Sequence, residues 1–427
     1  MTLYDLFDIL NLPRPNRNKK INKIEFDSRN IQKNDIFIAI KGNNFDGNDF
    51  LAEAIKKGSI YCITDKNINN KKCIKVLDIK KLIFDLTNYI RCKYNIPLIA
   101  ITGSNGKTTT KELIYQILKS KYNILKSEGN NNNIYGVSKT LFNLDEKYDL
   151  ILLELGSNHS GEISYLSKMC NPTYSIITNI GTSHIGNFKS RKNIFKEKIS
   201  ILDGMKEKKL IVNGDDKYLK KLNYYKCGIN YGNNLVAYNI RSDYNKLNFN
   251  IHIDSEYEVE FNYPIMHFIN DILLAIKTAL DFNIDMKDIV EGIKNFNNID
   301  MRMNIVKTSK YVIINDCYNS SFESLKGGIN YLKTLSGNKI IILGDILELG
   351  SYSKKIHKKV NRYLRPVKDS LVLTKGEYTK YINGIHFKNN ADIIEYLKGM
   401  DLKGKYIYVK GSRKMKLEEI VKYLLIE

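Results

Sequence analysis

The feature that most constrains the fold is an apolar run that ends in a glycine loop. Ile96-Pro-Leu-Ile-Ala-Ile-Thr102 leads directly into Gly103-Ser-Asn-Gly-Lys107, and Thr108 to Ser120 follows with helical patterning. Strand, glycine loop and helix in that order open an α/β nucleotide-binding domain. Glycines let the backbone wrap a phosphate, whose charge is met by N–H groups at a helix N-terminus. Lys107 is placed to reach terminal phosphates, and the Thr108 hydroxyl to face Mg²⁺. The loop is shorter than G-x-x-x-x-G-K-[ST], because Ile101 stands where the first glycine belongs.

Strand and helix signals alternate on both sides of this loop. Before it, Asp35-Ile-Phe-Ile-Ala-Ile40 reads as a strand and Phe50 to Gly58 as a short helix. After it, Asp149–Leu153, Tyr174–Thr178 and Leu210–Val212 read as strands, with helices at Ser160–Met169 and Ile194–Gly204. Short alternating β segments occupy about 235–262, and helices are expected at Asn270–Phe282 and Met286–Phe296. Beyond 300, Tyr311–Ile314, Lys339–Leu343, Ser370–Leu373 and Tyr406–Val409 suggest a second doubly wound sheet. The expected architecture is α/β with three domains. A small α/β domain spans 1–95, a central P-loop-type mononucleotide-binding domain 96–299 and a C-terminal Rossmann-like domain 300–427. Asn130–Asn133 is the one low-complexity patch, too short for a disordered tract.

Net charge is +21, which raises a nucleic-acid partner as a possibility. The basic residues are 57 Lys against 10 Arg, Trp is absent, and the lysines are scattered instead of gathered into a stripe. A mutational bias toward AT-rich codons produces that pattern without selecting a basic surface, so no nucleic-acid partner is expected. No apolar run approaches the roughly 18–20 residues of a membrane helix, and the start, MTLYDLFDIL, does not read as a signal peptide. The six cysteines form no C-x-x-C pair. Reduced thiols, a cytosolic location, no membrane insertion and no zinc site are the expectations.

In open α/β sheets ligands gather at the carboxyl ends of strands. Glu154 follows one strand directly; Asn179 and His184 follow the next; Asp316 and Asp345 end strands of the third block. A carboxylate and an imidazole near a bound triphosphate suit Mg²⁺, directly or through water. For Asp316 and Asp345 a helix N-cap is the plainer alternative.

These motifs together resemble the Mur ligases, which add amino acids to the cell-wall precursor. Gly103-Ser-Asn-Gly-Lys-Thr-Thr109 is similar to their phosphate loop. Phe26-Asp-Ser-Arg29, Asp35–Gly42 and Phe45-Asp-Gly47 resemble the family's N-terminal domain. Glu154-Leu-Gly-Ser-Asn-His-Ser-Gly-Glu162 and Thr178-Asn-Ile-Gly-Thr-Ser-His184 resemble its central one. Asp316-Cys-Tyr-Asn319, Gly344-Asp-Ile-Leu-Glu-Leu-Gly350 and Val409-Lys-Gly-Ser-Arg413 resemble its C-terminal one. Within the family the match is to the member that joins D-alanyl-D-alanine to UDP-MurNAc-tripeptide, using ATP and Mg²⁺ and passing through an acyl phosphate.

The resemblance implies roles. Gly103, Ser104, Asn105, Gly106, Lys107, Thr108 and Thr109 would hold the ATP phosphates, with Thr108, Glu154 and His184 serving magnesium. Lys198 in Ile194-Phe-Lys-Glu-Lys-Ile199, not Lys196, matches the lysine that the family carries as a metal-binding carbamate. Arg302 would reach the phosphates across the domain gap, Asp271 would border adenine and Asp316 would hold the ribose. Ser28 and Arg29 would face the uridine nucleotide, and Tyr318, Asn319 and Arg413 the dipeptide. A monomer is expected. Some positions depart from the family pattern: Asp271 and Ser321 stand for asparagines, Phe322 and Ser138 for prolines, Asn315 for an aspartate and Ser200 for a glutamate. The competing readings are folylpolyglutamate synthase or a sister Mur ligase, a basic P-loop protein acting on nucleic acid, and a decayed Mur-like protein. Asp27-Ser-Arg29 argues against the folate enzyme, Gly344–Gly350 against the sisters, and the retained Lys107, Glu154, His184 and Asp316 against decay.

Overall fold

The computed structural model describes residues 1–42, 44–243 and 246–426. Four parallel strands come first: β1 (Ile24–Glu25), β2 (Ile36–Ile38), β3 (Tyr61–Thr64) and β4 (Cys73–Lys75), side by side in chain order. The helix Ile79–Lys93 then carries the chain into the central sheet. Its buried face, Leu82, Ile83, Leu86 and Ile90, follows a period of three to four residues, and Asp78 caps its start.

The central sheet is built from β5 (Leu98–Thr102), β6 (Ile124–Lys126), β7 (Leu150–Glu154), β8 (Tyr174–Ile177), β9 (Leu210–Asn213), β10 (Tyr225–Gly228) and β11 (Leu235–Val236). All its pairings are parallel, in the order β11-β10-β9-β8-β5-β7-β6. Ile99, Ile101, Leu152 and Ile176 are wholly buried. Such continuous apolar strands belong to a sheet covered on both faces by helices. Strand β5 sits between β7 and β8, so the chain reverses its winding there and opens a crevice at the strand ends.

Three antiparallel strands, β12 (Tyr238–Ser242), β13 (Leu247–His252) and β14 (Glu256–Phe261), form a separate small sheet. Positions 244 and 245 of the segment read as alternating β lie outside the described residues. The third block holds β15 (Asn304–Lys307), β16 (Val312–Asn315), β17 (Lys339–Gly344), β18 (Ser370–Lys375), β19 (Ile385–Phe387) and β20 (Tyr406–Lys410), ordered β15-β16-β20-β17-β18-β19. Only β15 runs antiparallel, a hairpin onto the edge of an otherwise parallel sheet. The protein is therefore α/β with three domains, and no helix among the described residues is long and apolar enough to cross a membrane.

Element boundaries shift where capping, not periodicity, decides them. The helix expected at Ile194–Gly204 starts earlier, at Arg191, because the Ser190 hydroxyl accepts from Asn193 N; it tightens into 3₁₀ turns at Ser200–Gly204. The helix expected at Phe50–Gly58 is a 3₁₀ turn, Gly47–Phe50, followed by Leu51–Lys56. Neither Asp316 nor Asp345 caps the helix that follows it. Ser321 caps Phe322–Thr334, and the Asp345 carboxylate instead accepts from the backbone N–H groups of Glu377, Tyr378 and Thr379.

Ile176→Ala removes a branched side chain from the centre of the wholly buried β8. It is expected to cost about 2–5 kcal/mol. The check is the urea midpoint of the transition that reports the central sheet, which should fall clearly below wild type.

Candidate active site

The phosphate loop is held from below by the segment after β8. Asn179 Oδ1 accepts from Asn105 N at 3.0 Å, Asn179 Nδ2 donates to Asn105 O at 3.0 Å, and Ser104 N donates to Asn179 O at 3.0 Å. Gly106 has φ +81°, and a Cβ there would lie 2.4 Å from Asp271 Oδ1. The loop can pass this close to the helix Phe268–Asp281 only with glycine at that position. Lys107 begins the helix Lys107–Leu118, and its Nζ donates back to Gly103 O at 3.0 Å.

Directly beneath lies Glu154, the last residue of β7 and almost fully buried. Thr108 Oγ1 donates to its Oε2 at 2.8 Å, and Asn132 Nδ2 donates to its Oε1 at 2.8 Å. Burial opposes its ionisation, but Lys107, the Asn132 and Thr108 hydrogen bonds and Arg302 together hold the carboxyl below its ordinary value. It is a carboxylate at neutral pH. Lys107 is in turn pulled below the usual lysine value, by burial and then by Arg302, while Glu154 resists the shift.

Lys198 enters the same cleft from the helix Arg191–Ile199. Its side chain is buried, and Nζ donates to Ser157 Oγ at 2.9 Å. Burial, reinforced by Lys107, lowers its pKa to about 7, so a large share of the amine is neutral at physiological pH. Lys196 is exposed. Glu197, between them, fixes the helix by accepting from Gly161 N at 2.7 Å and Ile163 N at 2.8 Å.

The third domain closes the cleft. Arg302 Nη2 donates to Thr108 Oγ1 at 3.1 Å, with its guanidinium 4.4 Å from the Tyr318 ring centroid. Ser321 Oγ donates to Asn105 Oδ1 at 2.7 Å, and Glu323 Oε2 accepts from Thr182 N and Oγ1 at 3.1 and 2.9 Å. The Asp316 carboxylate accepts from Lys410 Nζ at 2.6 Å, Tyr408 OH at 3.0 Å and Met303 N at 3.2 Å. The cleft has a volume of about 820 Å³. Arg302 Nε, Asn105 Nδ2 and Asn270 Oδ1 are buried on its wall with no hydrogen-bond partner among the described residues.

Of the residues singled out from sequence, the phosphate loop, Glu154, His184, Lys198, Asp271, Arg302, Asp316, Tyr318 and Asn319 all line this one cavity. Ser28, Arg29 and Arg413 do not. Ser28 donates to Glu53 at 2.8 Å; Arg29 is paired with Asp27 and 81% exposed. Arg413 contacts Glu418 at 3.5 Å and lies 6.0 Å from the Tyr318 ring centroid. Asn132, Ser157, Ser321, Glu323, Glu348 and Lys410 line the cavity without having been assigned a role from sequence. Asn132 was hidden in the Asn130–Asn133 patch, while Glu348 and Lys410 sit inside quoted motifs that gave them no role. A second groove, lined by Arg241, Glu258, Glu260 and Lys294, has its charges paired among themselves.

A hard cation fits the donor set at the cleft floor, where an ionised carboxylate and a threonine hydroxyl adjoin. No group of three or more His, Cys, Asp or Glu side chains that could hold a metal occurs among the described residues. A single carboxylate beside a hydroxyl is a donor set of the kind Mg²⁺ accepts, since it commonly takes one or two carboxylates and completes its shell with water and phosphate oxygens.

Residues 101–279 match the Mur ligase middle domain, 301–413 the Mur ligase glutamate ligase domain, and 20–92 the Mur ligase catalytic domain family. The UDP-N-acetylmuramoyl-tripeptide–D-alanyl-D-alanine ligase of Bacillus subtilis is 32% identical over 95% of this chain and 93% of its own length. A crystal structure of MurF from Acinetobacter baumannii superposes with a TM-score of 0.92 at 27% identity, covering 100% of this chain and 98% of that one. MurF from Thermotoga maritima, solved in complex with ADP, shares the fold with a TM-score of 0.87 at 24% identity, covering 94% and 97%.

Asp271 is nearly fully buried, and its Oδ1 accepts from Thr110 Oγ1 at 3.2 Å. Burial drives its pKa up to about 8, with Thr110 and Arg302 only partly offsetting it. The folded state therefore keeps a proton that the unfolded chain releases near pH 4. Stability is lost as pH rises from about 4 to about 8, at an upper limit of roughly 1.4 kcal/mol per pH unit, and is level above that. Asp271→Asn is expected to raise the melting temperature more at pH 8 than at pH 5. Parallel thermal melts of the two proteins check this, and an equal shift at both pH values would contradict it.

Proposed function

The chain belongs to the Mur ligase family, and we propose that its substrates are UDP-MurNAc-tripeptide, D-alanyl-D-alanine and ATP. It is an ATP-dependent ligase that forms a C–N bond. The observation that best supports the substrate reading is the cleft itself. Lys107, Lys198 and Arg302, contributed by two domains, surround the buried Glu154 beneath a phosphate loop.

In this reading the tripeptide carboxylate attacks the terminal phosphorus of ATP, releasing ADP and giving an acyl phosphate. The amine of D-alanyl-D-alanine then attacks the acyl carbon, phosphate leaves with the C–O bond electrons, and the nitrogen gives up a proton. UDP-MurNAc-pentapeptide results. Two anions must meet in the first step, so the chain supplies charge. Backbone N–H groups of Gly103 to Thr109 cradle the phosphates, and Lys107 and Arg302 offset the charge that builds up during transfer. Arg302 and Lys107 now rest on Thr108 and Gly103, both weak neutral partners that a phosphate oxygen readily replaces.

Mg²⁺, when bound, screens the phosphate charge and polarises the transferring group. Thr108 and Glu154 would hold one ion, and His184 with Lys198 would serve a second. Lys198 meets the requirement for carbamylation. Its neutral amine can add CO₂ at nitrogen, lose a proton and become an anion whose oxygens suit a hard ion. Asp271 and Asn270 border adenine. Asp316 holds the ribose with lone-pair capacity left over from Lys410, Tyr408 and Met303. Ser28 and the exposed Arg29 face the uridine nucleotide, while Tyr318, Asn319 and Arg413 shape the dipeptide side. The segments 1–95, 96–299 and 300–427 would then each serve one substrate, in a cytoplasmic monomer.

Phosphate release from ATP and Mg²⁺ is expected only when UDP-MurNAc-tripeptide and D-alanyl-D-alanine are both present. Equal release without the dipeptide would make the protein a simple ATPase. Turnover with folate and glutamate, or with single amino acids, would move it to a sister activity. Lys198→Ala should lose most activity and regain part of it in formate or acetate, whose carboxylate fills the ligand gap. Lys196→Ala should match wild type. A fully active Lys198→Ala protein would remove this lysine from the mechanism.

A further inference from the structure

Two residues from different domains meet in the wall of the cleft. His184 lies beyond β8 with φ +57°, and Glu348 lies beyond β17 with φ +64°. Left-handed backbone at a non-glycine residue persists only where surroundings over-determine it. They do so here. Gly186 N donates to Glu348 O at 3.0 Å, and a Cβ on Gly186 would stand 2.7 Å from Gly350 N and 2.8 Å from Glu348 O. The two loops therefore touch backbone to backbone, and Tyr352 OH donates to Lys189 O at 2.8 Å alongside.

This docking brings His184 Nδ1 to 2.6 Å from Glu348 Oε2. The atoms are within hydrogen-bond distance, although the angle at Nδ1 falls outside that of a well-formed bond and Nδ1 has no other partner among the described residues. Both side chains border the cavity that holds Lys107, Glu154 and Lys198. A neutral imidazole has two tautomers, and a carboxylate at Nδ1 selects the one with its proton there. The lone pair is then left on Nε2.

We propose that Glu348 is a positioning residue, which accepts the Nδ1–H of His184 and so presents Nε2 to the phosphate cleft only when the third domain is closed. Histidine ligands of metals are commonly oriented by a carboxylate in this way. Here the carboxylate arrives with a different domain, so closure and completion of the cation site become one event. Glu348 itself touches neither nucleotide nor metal in this role. The proposal rests on reading the cleft as a magnesium–nucleotide site.

The test uses the full chain with ADP and Mg²⁺ as probes. Imidazole ¹⁵N shifts, with His184 assigned by its loss in His184→Asn, report the tautomer. Titration of Mg²⁺ into ADP-saturated protein reports affinity. Wild type should show His184 protonated at Nδ1. Glu348→Ala should show mixed tautomers and Mg²⁺ affinity weaker by about 10–100-fold, with metal-free ADP affinity unchanged. Glu348→Gln, whose amide oxygen still accepts the hydrogen bond, should keep the wild-type tautomer and most of the affinity. A Glu348→Ala protein with wild-type tautomer and affinity overturns the proposal. So does a Glu348→Gln protein as impaired as Glu348→Ala, which would mean that the contact works only as a charge between domains. If wild type binds ADP but no Mg²⁺, or neither, the magnesium–nucleotide reading falls and takes this proposal with it.

Discussion

Three basic side chains around one buried carboxylate are the constraint on which the rest of the site depends. Lys107, Lys198 and Arg302 approach Glu154 in a region where charges are poorly screened, and one negative charge does not balance them. The surplus has two consequences. It adds to burial, the larger cause, in depressing the lysines, Lys198 to about 7, which makes that amine chemically available. It also leaves the closed cleft positively charged, so that a polyphosphate is worth more there than on an open surface. Glu154 must stay ionised for the arrangement to hold, which is why Asn132 and Thr108 both donate to it.

The same imbalance explains why the site is divided between domains. Arg302 reaches Thr108 from the third domain, and further polar contacts across the gap include Ser321 with Asn105, Glu323 with Thr182, Gly186 with Glu348 and Tyr352 with Lys189. Hydrogen bonds of this kind contribute about 1 kcal/mol each net of water, so they bias closure without locking it. An anion that neutralises Lys107 and Arg302 together gains most when both domains are in place. Ligand-driven closure needs such a differential interaction.

The central fold was legible because parallel strands buried on both faces read as apolar runs, and Ile96–Thr102 before a glycine loop admits few alternatives. Short edge strands such as β4 and β19, none of whose three residues is buried, carry little signal and were not singled out. Residues at strand ends, Glu154, His184 and Asp316, were legible from the rule that ligands collect there. The partners that tune them were not. Asn132 sat in a run of asparagines, Ser157 and Ser321 are small polar residues of a common kind, and Lys410 is one lysine among 57. Each gains meaning only from a three-dimensional neighbour, Glu154, Lys198, Asn105 or Asp316, that lies at least 22 residues away in the chain.

Two of the departures from the family pattern become intelligible in this light. Ser321 in place of asparagine caps the helix Phe322–Thr334 through Ser324 N and bonds Asn105 in the phosphate loop, so one hydroxyl does both tasks. Asp271 in place of asparagine would be costly as an anion, buried against Gly106 where phosphates are to be held. Burial resolves the conflict by keeping it protonated up to about pH 8. A protonated carboxyl offers one hydroxyl donor and one carbonyl acceptor, which is close to what an amide offers. The substitution thus preserves the hydrogen-bonding character of the position while making it sensitive to pH, and the low dielectric that makes the cleft attractive to phosphate is what keeps this acid neutral.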